Sequence, residues 1–502
     1  MLNLIQEKER IFLMNNLLQL DIKYQDYIFH DKLKNALHLS LNTDNNIFIQ
    51  GPAGTGKSLF LNILRNELDY LNSSYAVCTP TGVSAVNVKG VTLNSFFQIE
   101  PGISVVHYAK SKLGNKTLRD KLSGLKYLII DEISMVRADM FTIIDYMLQQ
   151  VKKDFRAFGG IKVIILGDLL QLSPVLQDKD VEYFSQFYPN GKFFFNTDAY
   201  IQGNFKYIEF DKIFRQSNVK FGELLNRMRK NEINELDLRV LNTRVTSDYS
   251  LHDSDTVYLA STRKKVQQIN KMEYDKIKEK EYRYIASFDA DNFKSKAEYP
   301  NDEEIVLKKG VKVMFIVNSK EYVNGTVGFI KDLDKESVTV EINDDYEKRT
   351  IKVEPYEWGN FGYKIEIDEK TKEKKLIKYK KGSFKQIPLK IAYAITVHKS
   401  QSKTLNSIYL DLGWKAFAGG MTYVAVSRIR DFKGLSLKRP ITQGDIFVDK
   451  EILNFSKDII EIDYDDIDIK FVKRKEIISK VDNNKEALDD INEILKEYGI
   501  HE

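Results

Sequence analysis

Short apolar runs alternate with amphipathic stretches between about residue 30 and residue 200. The runs at 47–50, 75–79, 127–131, 162–166 and 193–195 are rich in Ile, Val, Leu and Phe, as strands buried on both faces are. Between them apolar residues recur at helical spacing, as over 59–71. This alternation predicts a parallel sheet covered on both faces by helices. After Phe210 the rhythm returns in a less regular form. It predicts a helix over 213–230, a strand over 257–260 and a helix over 263–278, then resumes at 389–397, 407–411 and 420–429. A second α/β domain interrupted by an insertion is the expected arrangement.

The insertion, 310–388, has a different texture. Segments 311–315, 326–330, 338–342 and 374–379 read as short strands joined by charged turns such as Asn343-Asp344-Asp345, and predict a small twisted β-barrel. The polar stretch 283–304 reads as a loop. Beyond 450 an acidic cluster (Asp463, Asp465, Asp466, Asp468) precedes a basic one (Lys470, Lys473, Arg474, Lys475), and 483–498 carries an amphipathic helical pattern. There is no internal repeat and no low-complexity tract.

A chain of 502 residues holds two or more domains with ample core for each. Its 76 basic and 72 acidic residues leave a net charge of +4, so any surface for nucleic acid must come from local segregation of charge. The single cysteine, Cys78, excludes an intramolecular disulfide and a cysteine-based zinc cluster; it sits in an apolar run and reads as a small core residue. Met1-Leu2-Asn3-Leu4-Ile5 runs directly into Gln6-Glu7-Lys8-Glu9-Arg10, unlike a signal peptide, and no stretch approaches the roughly 20 apolar residues that span a bilayer. A cytoplasmic protein (bacterial cytosol or nucleoid) with no membrane partner is expected.

The most specific chemistry lies in Gly51-Pro52-Ala53-Gly54-Thr55-Gly56-Lys57-Ser58, which fits G-x-x-x-x-G-K-[ST] between a strand-like run and a helical one. Glycines let the backbone wrap a triphosphate, so that loop N–H groups and the helix N-terminus point at negative charge. Lys57 would reach the β- and γ-phosphates of ATP, and the Ser58 hydroxyl would ligate Mg²⁺. Leu128-Ile129-Ile130-Asp131-Glu132 ends a strand in two carboxylates, at the edge where α/β sheets bind ligands. Asp131 would hold Mg²⁺, and Glu132 would deprotonate the attacking water. In Val163-Ile164-Ile165-Leu166-Gly167-Asp168-Leu169-Leu170-Gln171, the Gln171 amide is placed to touch both the γ-phosphate and that water. Arg215, in Phe214-Arg215-Gln216, and Arg428, in Ala425-Val426-Ser427-Arg428, both fall in the second domain. Guanidinium groups supplied across a cleft would make hydrolysis depend on its closure.

Taken together, these strings resemble the superfamily 1B DNA helicases, and more narrowly the petite-integration-frequency (PIF) family, relatives of the RecD and Dda helicases. The matching motifs run in order from about 47 to 435. They include Thr79-Pro80-Thr81-Gly82-Val83-Ser84-Ala85, Thr92-Leu93-Asn94-Ser95-Phe96-Phe97, Asp131-Glu132-Ile133-Ser134-Met135, Val323-Asn324-Gly325-Thr326-Val327-Gly328 and Thr396-Val397-His398-Lys399-Ser400-Gln401. The resemblance implies an α/β fold of two RecA-like P-loop domains, with an SH3-like β-barrel inserted in the second and a small strand-separating subdomain, about 98–124, inserted in the first. The boundaries it suggests are 1–205, 206–450 with the insertion at 310–388, and a C-terminal extension at 451–502. It also implies ATP-dependent movement 5′→3′ on single-stranded DNA by a monomer, with unwinding at single-strand/duplex junctions, forks, R-loops or folded G-rich strands. An RNA–DNA hybrid is a further possible track. By position, Pro80, Thr81 and Gly82 would meet the DNA backbone on the first domain with Asn94, and Phe96 or Phe97 would stack on a base. Thr396, His398 and Lys399 would meet the strand on the second domain, while Ser400 and Gln401 would face the nucleotide.

Three positions depart from the family. Asn94 stands where His is frequent, and Ser402 where Gly is usual. The adenine-reading Gln is displaced, Gln25 being the nearest candidate. Two other readings stay open on sequence grounds: a translocase that separates duplex weakly, and a nucleotide-switched binding protein. Outside the ATP site there is no compact metal-ligand carboxylate cluster of the kind a nuclease needs, and 463–468 reads as a solvated acidic run.

Overall fold

The computed structural model describes residues 31–459, apart from 101, 103–105, 175, 177, 213–218, 248–254, 289–298, 345–346, 368–373 and 402. The first domain is built on six strands: β1 (Ile47–Gln50), β2 (Tyr75–Thr79), β3 (Val91–Thr92), β4 (Tyr127–Ile130), β5 (Lys162–Gly167) and β6 (Lys206–Glu209). Their order is β3-β2-β4-β5-β1-β6, and every pairing is parallel. Every residue of β1, β2 and β5 is buried, as strands covered by helices on both faces must be. Cys78 lies in this core as expected, and burial raises its thiol pKa.

Two sequence expectations fail here for one reason. Segment 193–195 is not a strand; it leads into a 3₁₀ turn, Phe194–Asn196, whose three neighbouring phenylalanines all point into the core. The Phe193 and Phe195 rings stack with centroids 5.0 Å apart. The turn, not a strand, carries these rings into the first core, where Phe194 meets Phe48 edge-on at 5.8 Å. The sixth strand is instead Lys206–Glu209, paired to β1. The first domain therefore continues past the expected boundary at 205.

Segment 98–124 forms two short helices, Val106–Lys112 and Lys116–Ser123, the second capped by Asn115, whose Oδ1 accepts from Leu118 N. Ala109, Leu118 and Leu122 are fully buried in the first core. Its cations differ in setting. Lys110 and Lys116 are exposed, Lys112 pairs with Glu100, and the buried Lys121 donates to the Phe96 carbonyl.

The second domain carries four parallel strands in the order Ala394–Thr396, Thr256–Ala260, Ser407–Asp411, Leu435–Leu437. Its core gathers Leu259, Val397, Ile408, Val424 and Ile429 with Leu224, Leu225 and Met228 of the helix Val219–Arg229. The insertion holds a five-stranded antiparallel sheet: Glu347–Val353, Val338–Asp344, Val327–Leu333, Lys312–Phe315 and Leu389–Ile391, in that spatial order.

Segment 374–379 does not join that sheet. It belongs to a long hairpin, Tyr356–Ile367 with Lys374–Gln386, extended by Ser287–Phe288. The stretch 283–304, read as a loop, also contributes the strand Tyr282–Ile285, paired with Glu304–Leu307; Tyr284 is its buried anchor. The hairpin packs against the first domain. The Tyr363 hydroxyl accepts from Val77 N at 3.1 Å, Leu376 N donates to Ser74 Oγ at 3.0 Å, and the Tyr363 ring meets Phe96 edge-on at 5.2 Å.

The chain then returns to the first domain. Helix Lys450–Asp458 stacks Phe455 on Phe195 at 4.2 Å and buries Ile452, so 451–459 braces the first core rather than opening a separate extension. The acidic and basic clusters beyond 460 and the helical pattern at 483–498 lie outside the described residues. Among the described residues, no helix is long and apolar enough to cross a membrane.

Candidate nucleotide cleft and nucleic-acid edge

The loop after β1 takes its shape from its glycines. Gly54 and Gly56 have φ of 87° and 94°, a region that side chains with a Cβ avoid. A Cβ on Gly51 would lie 2.6 Å from the Phe210 carbonyl oxygen. Thr55 is buried, with its hydroxyl donating to Pro52 O at 2.9 Å, and Ala53 lies half-buried on the loop. Lys57 opens the helix Lys57–Tyr70 and donates to the carbonyls of Gly51 (2.5 Å) and Pro52 (2.9 Å); Ser58 beside it is exposed. Burial lowers the Lys57 pKa, and the carboxylates of Asp168, Glu132 and Asp131 oppose that shift. The ammonium therefore sits on the loop with three carboxylates around it.

Asp131 and Glu132 follow β4 directly. Burial and then the charge of Glu132 raise the Asp131 carboxyl, whose Oδ1 accepts from Glu132 N at 2.9 Å. Glu132 holds φ 58°, ψ 43°, an uncommon conformation for a residue with a side chain and one that recurs at functional sites. Beyond β5, the Gln171 amide donates to Asp168 Oδ2 at 3.1 Å. From the second domain, Gln401 Nε2 reaches Glu132 Oε2 at 3.1 Å and Gln171 Oε1 at 3.3 Å. A carboxylate and two amides from both domains thus converge beside Lys57. Such a group can hold a water and accept its proton. Ser400 does not join them: it is fully buried and its hydroxyl donates to Val397 O within its own turn.

Arg428 is 1% exposed and donates to Val424 O and Ser427 Oγ, each at 2.7 Å. Its charge, with those of Asp168 and Arg229, acts on the buried Tyr423 beside it. Arg215 lies outside the described residues. Sequence reasoning missed Arg229. Its guanidinium, 1% exposed, comes from the second-domain helix and bonds Asp168 at 3.0 and 3.2 Å through Nε and Glu209 at 3.2 Å through Nη1. Asp168 therefore serves both Gln171 and the second domain. In the sequence Arg229 looks like any solvated arginine in a last helical turn, and only the tertiary fold sets it between carboxylates.

The residues assigned to nucleic acid fall on the carboxyl edges of the two parallel sheets. Pro80 and Thr81 are half-buried and Gly82 is exposed, with open space where a Cβ would sit. Thr81 caps its helix by accepting from Ser84 N at 3.2 Å. Asn94 spends its amide on Ile99 O at 3.0 Å. Phe96 is 2% exposed and Phe97 is fully buried, so neither offers a face to a base; the stacking assignment is corrected to a core one. On the second domain Thr396 is buried and caps its turn through Lys399 N, Lys399 is exposed, and the half-buried His398 lies parallel to Phe417 at 6.1 Å. Among the described residues no group of three or more His, Cys, Asp or Glu is arranged to hold a metal without help from a substrate.

The family model described as PIF1-like helicase matches residues 23–244. The protein named ATP-dependent DNA helicase Pif1 from Campylobacter jejuni is 30% identical over 441 residues, covering 83% of this chain and 94% of that protein. The crystal structure of Bacteroides sp Pif1 in complex with ADP-AlF4 is 31% identical, with a TM-score of 0.76 over 86% of this chain and 97% of that one. Bacteroides Pif1 bound to ssDNA is 32% identical over the same shares, with a TM-score of 0.61.

Proposed function

The chain belongs to the PIF1-like helicase family, and from that footing we propose an ATP-driven motor that moves 5′→3′ along single-stranded DNA and opens duplex at junctions. Forks, R-loops and folded G-rich strands are the substrates proposed for it. The observation that carries this reading is Gln401, a second-domain residue that touches both Glu132 and Gln171 of the first. A nucleotide held at Gly51–Ser58 then sits where a change of the γ-phosphate is felt by both domains.

In this reading Lys57 leaves the loop carbonyls for the β- and γ-phosphates. Gln171 and Gln401 position a water in line with the γ-phosphorus, and Glu132 takes its proton as the new P–O bond forms and the bond to the β-phosphate oxygen breaks. Arg428 and, by its place in the sequence, Arg215 offset the charge that builds on the transferring group. The hard oxygen donors Ser58 and Asp131 suit Mg²⁺, and the buried, neighbour-raised Asp131 carboxyl is a group that a cation would stabilise in its ionised form. The ion would supply charge neutralisation between the phosphates. Loss of γ-phosphate removes what Gln171 and Gln401 share, so cleft opening follows chemistry and shifts one DNA-gripping edge against the other.

Steady-state ATP hydrolysis with and without single-stranded oligonucleotide tests this. The expected result is strong stimulation by DNA. Lys57→Ala should abolish nucleotide binding, and Glu132→Gln should keep binding while losing hydrolysis by about 10²–10⁴-fold. Hydrolysis indifferent to DNA would contradict a motor and leave a nucleotide switch.

A further inference from the structure

The chain has two tryptophans. Trp358 is 5% exposed inside the insertion, whereas Trp414 is fully exposed and Phe417, three residues on, is 60% exposed. Trp414 follows the strand Ser407–Asp411 on the carboxyl edge of the second sheet, the edge that also carries Thr396 and His398. Asp411 Oδ1 accepts from Gly413 N at 2.9 Å, and Gly413 turns the chain at φ 66°. A Cβ on Gly413 would lie 3.7 Å from Ser261 Oγ, which places the turn against the end of the adjacent strand Thr256–Ala260. His398, after the third strand of this edge, lies parallel to the Phe417 ring.

The loop that presents the indole is anchored. Ala416 is buried and donates to Asp445 Oδ1 at 3.1 Å, and Arg439 Nε donates to Gly413 O at 2.6 Å while its Nη atoms pair with Asp445. A large aromatic held in water on a fixed turn offers a pre-ordered face at little entropic cost.

The charge beside it selects the occupant. Helix Arg263–Lys276 starts two residues after Ser261, is capped by Thr262, and carries Arg263, Lys264 and Lys265 in its first turn with no acidic residue. Cations at the positive end of a helix dipole are unfavourable unless an anion offsets them. Lys399 and Lys415 are exposed on the same edge, whereas the nearby acids Asp411 and Asp445 are paired with Lys438 and Arg439. An aromatic face beside a group of cations matches a base with its phosphates.

Resting on the reading that this edge carries DNA, we propose that Trp414, with Phe417 beside it, is a stacking platform for a base of the single strand, and that the turn Arg263-Lys264-Lys265 takes an adjoining phosphate.

Because Trp358 is buried, the difference in emission between the wild-type chain and Trp414→Phe isolates the Trp414 signal without disturbing the insertion. Titration with oligo-dT, followed in parallel by anisotropy of a labelled strand, should change that signal as DNA binds. Trp414→Ala should weaken binding about tenfold, Trp414→Phe should stay within about twofold of wild type, and an abasic strand should bind without the emission change. DNA that binds and stimulates ATP hydrolysis while Trp414 stays silent, with Trp414→Ala binding normally, overturns the platform and leaves the motor reading intact. DNA that does not bind at all overturns both. An emission change that follows protein concentration alone would make Trp414 a self-association contact and also overturns the proposal.

Discussion

Arg229 carries its charge into an interior where two carboxylates of the other domain, Asp168 and Glu209, receive it. Removing one partner of a buried pair leaves the other uncompensated, which costs about 3–5 kcal/mol. Arg229→Met should lower stability to urea by that order. Arg229→Lys should recover only part of it, because an ammonium cannot reproduce the planar fork toward Asp168. An Arg229→Met protein as stable as wild type would show that the pair does not join the domains. Much of the candidate site at this scale was legible from local strings: Gly51–Ser58, Asp131, Glu132 and Gln171 each sit in a motif, and the fold brings them together around Lys57. Arg229 was not legible, because Asp168 lies 61 residues away. Phe96 misled for the opposite reason. Its motif suggests stacking, but the ring is enclosed by Phe97, Tyr363 and Lys121.

Among elements, strands with all-apolar sequences were easy to find and edge strands were not. Lys206-Tyr207-Ile208-Glu209 is half polar, so the aromatic run before it took its place in the sequence reading. The hairpin Tyr356–Ile367 with Lys374–Gln386 is rich in lysine, and the sequence reads 374–379 as a strand of the barrel; the two-residue spacing of Tyr363 and Ile365 hints at a buried face but not at the pairing of the two strands. The loop bearing Trp414 depends on Asp445, 2% exposed, which accepts from Ala416 N, Thr442 N and Arg439. Burial alone would raise its pKa; the Arg439 pair and the Thr442 and Ala416 donors outweigh that and hold the carboxyl well below its ordinary value of 3.8. A depressed folded-state pKa means that the ionised form stabilises the fold in full above the unfolded value and that this is lost as pH falls below it. Asp445→Asn should therefore cost about 2–4 kcal/mol near neutral pH, with the gap to wild type shrinking as pH drops through about 4. Chemical denaturation over that range reads it directly, and a gap independent of pH would contradict the assignment.

At the scale of the molecule, the sequence order of the motifs implied two α/β domains around one cleft, and two such domains frame the site. What joins them was hidden. Tyr363 meets Val77 across 286 positions, and Phe455 returns to stack on Phe195. Contacts of this range leave no periodic trace in a single sequence. Both the proposed nucleotide cleft and the two sheet edges proposed for DNA belong to this frame, and the account stands on their coupling. The most direct test is strand separation on forked duplexes carrying a single-stranded tail on either the 5′ or the 3′ side, with Lys57→Ala as the control. Unwinding from the 5′ tail alone, dependent on ATP and lost in Lys57→Ala, is the result expected. Unwinding from the 3′ tail, or unwinding that survives in the mutant, would contradict the account.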